Sequence, residues 1–496
     1  MTPEVDMYDV AVIGAGIIGA FCARTLSRYD INICVIEKEN DCSMGTTKAN
    51  SAIVHGGFDP EPGSLMAVTN VLGNKMYEDI SRELNVPFMR NGALVVAYDE
   101  GDKKVLEHLL ENGNKNGVEN LRILRADEVK KIAPRISDEV IAALHCPSSG
   151  ITSPFEMTSA LMENAALNGC QIYYDFNVSG IKKNKDKNFE YFTITSDNCG
   201  NTTNKIDARY IINATGVDSD RVFELIGDKE YTIHGYRGQY YVTDKTENHG
   251  IGATLFKTPD MNGKGVLIAP MVHGNLLLGP NSESTEFKHD VGTSRRESEF
   301  ITERVKRFIP DLNIRSSIRS FSGVRAYSDR EDFIIEESNS VKGFINLAGI
   351  KSPGLTAAPA IALLAKDILE DIGLKFVEKK DFEPNRKGIG FLNLSKSEQD
   401  KLIESDPSYG RIICRCEMVT EGEIREALNR PNPPRTLDGV KRRVRPGSGR
   451  CQGGFCGPRV LEILAEHYGV SEKEILQDKK GSYIITEGME DRDGKL

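Results

Sequence analysis

The chain has 496 residues, too many for one hydrophobic core, so at least two domains are expected. Its composition is that of an ordinary globular protein, and its net charge of −10 excludes the broadly basic surface that a nucleic-acid partner needs. The apolar run at residues 10–23 follows the acids Glu4, Asp6 and Asp9, not the positive charge of a secretory signal, and no stretch is long and apolar enough to span a bilayer. A cytoplasmic protein with no direct membrane insertion is expected.

Val10 to Ile13 is a short β-branched run suited to a buried parallel strand. Gly14, Gly16 and Gly19 follow with G-x-G-x-x-G spacing, then an apolar helix, then a second strand, INICVIE, ending at Glu37. This is the arrangement that holds a dinucleotide. The first glycine makes the turn, the second admits the pyrophosphate and the third lets helix pack on strand. An acid at the position of Glu37 accepts the ribose hydroxyls. FAD and NAD both remain open at this point.

Residues 45–65, GTTKANSAIVHGGFDPEPGSL, are rich in glycine and small hydroxyl side chains, so backbone can lie close to a flat ring system. The stretch resembles FAD-dependent oxidoreductases of the D-amino-acid oxidase and glycerol-3-phosphate dehydrogenase superfamily. HGGFDPEPGSLMA is similar to the same place in 2-hydroxyglutarate oxidases. The resemblance continues through INATGVDSD (212–220), GYRGQYY (235–241), LLLGPNSE (276–283), FSGVRAYSD (321–329) and LAGIKSPGLTAAPAIA (347–362). It implies an α/β fold over residues 1–375, a Rossmann-like FAD-binding domain interleaved with an antiparallel-sheet substrate domain. It also implies FAD contacts at Thr46, Thr47, Ser51, Val178, Gly216, Gly349, Gly354, Leu355 and Thr356, besides the three glycines and Glu37.

The remaining elements agree. KKVLEHLLENGNKNG is helical, residues 191–216 read as a hairpin running into a parallel strand, and Tyr231 to Gly279 is strand-like with Gly and Asn turns. A helix is expected over Ala358 to Ile372. Residues 378–410 are polar and weakly patterned, and 376–407 is expected to be a linker or wrapping segment. There are no internal repeats and no low-complexity tract.

Six of the ten cysteines, Cys22, Cys34, Cys42, Cys146, Cys170 and Cys199, stand singly, as small buried hydrophobes do. The other four form a late cluster, Cys414 and Cys416 as C-x-C, then Cys451 and Cys456 as C-x4-C. In a reducing compartment such a cluster is a metal or redox site. Helices expected at TEGEIREAL and PRVLEILAEHYG would turn their N-terminal N–H groups toward an anionic centre. Zinc is open, although structural zinc sites usually use C-x2-4-C pairs. The segment resembles the BFD-like [2Fe-2S] domain, named after bacterioferritin-associated ferredoxin, in the version fused to catalytic subunits of anaerobic glycerol-3-phosphate dehydrogenases. That implies a [2Fe-2S] cluster on Cys414, Cys416, Cys451 and Cys456, a domain over 408–470 and a tail over 471–496. The basic run KRRVRPGSGR lacks the interleaved aromatics of a nucleic-acid site. It is expected to tune the cluster or dock a partner.

Oxidation of an alcohol needs a base for the hydroxyl proton and cations for an anionic substrate. His55 is the candidate base, with a purely structural histidine as the alternative. The resemblance places Arg325 beside the substrate and matches Lys351 to a lysine of glycerol-3-phosphate dehydrogenases. There the run continues like LTTYR; here Ser352-Pro353-Gly354-Leu355 follows, and the arginine is absent. Arg237 resembles the hydroxyglutarate branch, or is an ion-paired strand residue. The expected activity is FAD-dependent oxidation of a small anionic alcohol, sn-glycerol 3-phosphate first. Electrons would pass through the cluster to a partner subunit, a second flavoprotein being the expected one. The alternatives are an L-2-hydroxyglutarate or amino-acid dehydrogenase and a non-catalytic electron-transfer subunit.

Overall fold

The computed structural model describes residues 7–186, 189–197, 204–259, 265–388 and 390–486. Cys199, the acids Glu4 and Asp6 and the end of the expected tail, 487–496, lie outside them.

The first strand, Tyr8–Ile13, sits at the centre of an eight-stranded mixed sheet. It pairs in parallel with Ile33–Ile36 on one side and Lys205–Asn213 on the other. Burial on both faces explains its unbroken apolar run, with Val10, Ala11 and Val12 fully buried. The helices Ile17–Leu26, Leu65–Glu83, Pro154–Leu167 and Gly354–Asp371 cover one face. The last of these presents small side chains, Ala357, Ala358, Ala362 and Ala365, so its neighbours approach closely. It begins at Gly354, earlier than the expected Ala358, and carries Pro359 inside it.

The second sheet has nine strands and is antiparallel except where Thr254–Lys257 pairs in parallel with Ala93–Ala97. Its backbone is the long pair Ile233–Thr243 and Ser317–Ser328. The chain crosses between the two sheets several times, so neither is built from one continuous segment. The expected helix near 103–117 is Glu100–Lys115, capped by Asp99, whose carboxylate accepts the Asp102 N–H at 2.8 Å.

Residues 376–407 wrap the first unit. Lys379 N–H bonds Arg28 O at 2.8 Å, and Arg386 reaches Glu163 at 2.6 Å. Weak patterning hid a helix here, Lys396–Ser405. It is stabilised by the capping box of Ser395 and Glu398 rather than by a buried face.

The C-terminal unit packs the helices Glu421–Leu428, Leu437–Val444 and Gly457–Tyr468 around a small core of Ile424, Val440, Ile463 and Leu464. It is anchored on two sides. On one, Arg442 and Arg443 enclose Asp41, which follows the second parallel strand. On the other, Lys245 pairs with Glu417, and Arg450 donates to Asp244 at 2.8 Å, just beyond the strand Ile233–Thr243. The expectation for the basic run is corrected in part, since Arg450 faces solvent and the arginines before it do not. Arg442 and Arg443 are buried in an internal seam and cannot meet a partner protein. Among the described residues, no helix is long and apolar enough to cross a membrane.

Candidate functional site

A cavity of about 1510 Å³ runs between the two sheets. Ordinary small-ligand pockets hold roughly 300–1,000 Å³, so there is room for a dinucleotide and a substrate.

At one end lie Gly14, Gly16 and Glu37. Gly14 has φ +106, and a Cβ there would meet Ala214 O at 2.6 Å. A Cβ on Gly19 would stand 1.9 Å from Gly14 O; Gly19 acts behind the wall, in helix packing. The Glu37 carboxylate accepts the Ala15 N–H at 2.7 Å and the Glu39 N–H at 3.0 Å. Burial pushes its pKa up, and those two N–H groups pull against it. A carboxylate has about four acceptor sites, so both oxygens keep a lone pair for ribose hydroxyls. The residues present fit FAD.

Thr46, Thr47, Ser51, Val178, Gly216, Gly354 and Leu355 also line the cavity. The threonines fasten its wall. Thr47 Oγ1 accepts the Ile17 N–H at 3.0 Å, taking one free donor of the first helix, and Thr46 Oγ1 donates to Val324 O at 2.6 Å. Gly349 and Thr356 are not part of the lining. Gly349 shapes the turn before the helix, at φ +65. Thr356 is fully buried, and its Oγ1 accepts the His55 N–H at 2.8 Å.

His55, Arg325 and Lys351 also line the cavity. The His55 carbonyl accepts from Asn70 at 3.2 Å and Asn74 at 2.8 Å, so the backbone is held from both sides. Its Nε2 lies 3.3 Å from Ser352 Oγ. The Arg325 guanidinium crosses Gly238, where a Cβ would be 2.3 Å from Nη2, and donates to Asn281 O at 2.6 Å. Its Nε–H is buried with no partner. Lys351 Nζ sits 4.4 Å from the Tyr327 ring centroid, a cation held over an aromatic face. Arg237 is not brought to the cavity. It pairs with Glu283 at 2.7 Å and with Asp290, as a strand residue neutralised in place.

Two groups escaped sequence reasoning. Asp218 pairs with Lys38 at 2.8 Å and faces His289 at 3.0 Å on the cavity rim; the only trace was the acid pair in GVDSD. Burial raises the Asp218 pKa, but the Lys38 ammonium and its neighbours outweigh that and hold the carboxyl low. Asp478 and Lys479, in the expected tail, also line the cavity. Asp478 is fixed by Lys48 at 2.8 Å and Arg442 at 2.7 Å. Nothing in that polar stretch announces its return.

The four late cysteines come together in pairs. Cys416 Sγ lies 3.9 Å from Cys451 Sγ, and Cys456 donates to Cys414. That bond brings the Cys414 thiol down to about 6 and pushes Cys456 up. The backbone N–H groups of Gly447, Glu417 and Cys416 also favour a Cys414 thiolate, and Phe455 and Gly453 do the same for Cys451. Among the described residues, no three acidic, histidine or cysteine side chains converge as a single ion would need. Two thiol pairs with donated N–H bonds fit a [2Fe-2S] centre better than tetrahedral zinc.

Residues 9–368 match the model of the DAO family, FAD dependent oxidoreductase. The chain belongs to this family. Residues 412–466 match the BFD-like [2Fe-2S] binding domain. A glycerol 3-phosphate dehydrogenase of Caloramator mitchellensis is 46% identical over 97% of this chain and 98% of its own length. A glycerol 3-phosphate oxidase of Mycoplasma genitalium is 34% identical over 76% of this chain and 97% of its own. The dithionite-reduced L-alpha-glycerophosphate oxidase of Mycoplasma pneumoniae, solved with FAD bound, superposes with a TM-score of 0.72 at 30% identity, covering 77% of this chain and 99% of that one.

Proposed function

We propose that this FAD-dependent oxidoreductase oxidises sn-glycerol 3-phosphate to dihydroxyacetone phosphate and passes the electrons through its [2Fe-2S] domain to a separate protein. The observation that carries the reading is that two cations, Arg325 and Lys351, line one cavity with the candidate base His55. Two cations beside a base suit a small anionic alcohol. The likeness to the Caloramator dehydrogenase, which spans the cluster domain as well, supports the substrate.

In this reading Arg325 and Lys351 hold the phosphate, and His55 takes the hydroxyl proton at its Nε2. Thr356, Asn70 and Asn74 fix the backbone of His55, so the ring keeps its place. Gly14, Gly16, Glu37, Thr46, Thr47, Ser51, Val178, Gly216, Gly354 and Leu355 bind FAD, with Gly19, Gly349 and Thr356 supporting them from behind. Bound FAD would supply the acceptor for the hydride leaving the carbinol carbon. Residues 1–375 form the oxidoreductase, 376–407 the strap, 408–470 the cluster domain and 471–496 a tail whose Asp478 and Lys479 line the cavity. A cytoplasmic protein whose acceptor is a second flavoprotein belongs to the same reading.

The test is anaerobic bleaching of the flavin absorbance by candidate substrates. Glycerol 3-phosphate is expected to bleach it. Bleaching by 2-hydroxyglutarate or an amino acid, with glycerol 3-phosphate inert, overturns the proposal.

A further inference from the structure

The thiol sites lie beside the second anchor of the C-terminal unit, where Glu417 meets Lys245 and Arg450 meets Asp244, and the edge next to that anchor is partly open to solvent. Cys416 is exposed and Cys451 half-buried, whereas Cys414 and Cys456 are buried. Apolar side chains ring this edge. Phe455, whose N–H donates to Cys451 Sγ, is 84% exposed. Ile412 and Met418 flank the other cysteine pair at 47% and 42% exposure. Exposed Phe and Met beside Arg are the residue types that protein interfaces favour.

The charge here runs against the rest of the molecule. The chain carries −10 overall, yet the side chains of Arg411, Arg450 and Arg459 face solvent at this unit. Glu421, the partner of Arg411, is buried and Asp244, the partner of Arg450, is half-buried, whereas Arg459 pairs chiefly with the exposed Glu462. Glu417, the acid nearest Cys416, is likewise buried and held by Lys245 and Arg445. Arg415, between two thiols, is exposed and has no carboxylate partner among the described residues. The exposed acids Glu462 and Glu466 lie further along the helix Gly457–Tyr468.

We infer that this edge is the docking surface for an acidic-faced redox protein, with Phe455, Met418 and Ile412 as its apolar centre and Arg415 as its charge selector. The inference rests on the proposal that electrons leave through the cluster. It adds which face they cross and the charge of the protein that receives them. An apolar centre brings the partner's own redox group close, and the arginine rim steers carboxylates toward it.

The test uses the holoenzyme and two probe proteins, neither of which requires the substrate. Reduced plant-type ferredoxin, an acidic protein, donates electrons to the oxidised enzyme. Cytochrome c, a basic protein, takes them from the dithionite-reduced, desalted enzyme. Arg415→Glu is expected to slow the ferredoxin reaction about tenfold at low salt and to speed the cytochrome c reaction, both effects fading as salt screens the charges. Phe455→Ser is expected to slow the ferredoxin reaction at all salt concentrations. The proposal is overturned if Arg415→Glu moves both probes in one direction or neither. It is also overturned if sedimentation finds a dimer of this chain that Phe455→Ser splits, for then a second copy covers the face. Failure of the underlying function reads out separately, as a cluster whose EPR signal glycerol 3-phosphate leaves unchanged.

Discussion

The Tyr77 hydroxyl donates to the Leu355 carbonyl at 2.7 Å. Leu355 stands four residues before Pro359, which has no N–H to give, so this carbonyl would otherwise lack its helical partner. Tyr77 is fully buried, and Leu355 lines the cavity. One hydroxyl thus completes the helix that walls the site. Tyr77→Phe is expected to cost about 1–3 kcal/mol in urea unfolding and to lower the temperature at which flavin is released. In a Pro359→Ala background, where the N–H returns, the same change should cost clearly less. Equal costs in both backgrounds would refute this account.

Arg325→Lys keeps the charge and removes the fork. Loss of one charged hydrogen bond is worth about 1.5–3 kcal/mol, so kcat/KM for glycerol 3-phosphate should fall roughly 10- to 100-fold. Titration of the anaerobic flavin should place most of the loss in substrate binding. Arg237→Gln, outside the cavity, should leave both parameters within about twofold, in line with the small effect of surface pairs. A large kinetic effect of Arg237→Gln would return that residue to the site.

Acid should loosen the seam first. Burial pushes the Asp41 carboxyl up, but the Arg443 and Arg442 guanidiniums outweigh it and hold the group well below the usual range. Glu156 likewise lies at about 2, with burial opposed by His273 and Arg445. Their depressed pKa values mean that the stabilisation is fully present above the unfolded value of about 4 and is lost as pH falls through the folded values. Unfolding free energy should therefore fall steeply below about pH 4, and Asp41→Asn should flatten that limb. At neutral pH the same variant should cost about 3–5 kcal/mol, because Arg443 stays buried without its anion.

Replacing Cys451 and Cys456 by serine should abolish the iron–sulfur EPR signal and leave substrate bleaching of the flavin nearly unchanged. Turnover with a protein acceptor should collapse. Full turnover in the double variant would make the cysteines structural and bring zinc back.

The glycine turn, Glu37 and the cysteine pairs were legible because their chemistry depends on local spacing. Gly19 is constrained by Gly14, five residues away, and the Cys414–Cys416 turn by the N–H groups of Cys416 and Glu417. The hidden features depend on distant chain. Nothing near Asp478 reveals that Lys48 and Arg442 will hold it at the cavity. The sequence left Arg237 open between a substrate residue and an ion-paired one, and only the distant carboxylates of Glu283 and Asp290 decide for the second. Arg442 and Arg443 of the basic run were hidden for the same reason, since their counterion Asp41 lies some 400 positions earlier.

The two-sided anchoring of the C-terminal unit sets how its traffic is timed. Tyr240 walls the cavity, and four residues later Asp244 grips Arg450 beside the cluster cysteines, across about 13 Å of extended chain. A domain that ferried electrons by swinging on a tether would slow as glycerol thickened the solvent, and would stall in a frozen glass. This one is bolted to both sheets, so its internal transfer should proceed at a rate indifferent to viscosity, leaving the encounter with the outside acceptor as the only step that diffusion can limit.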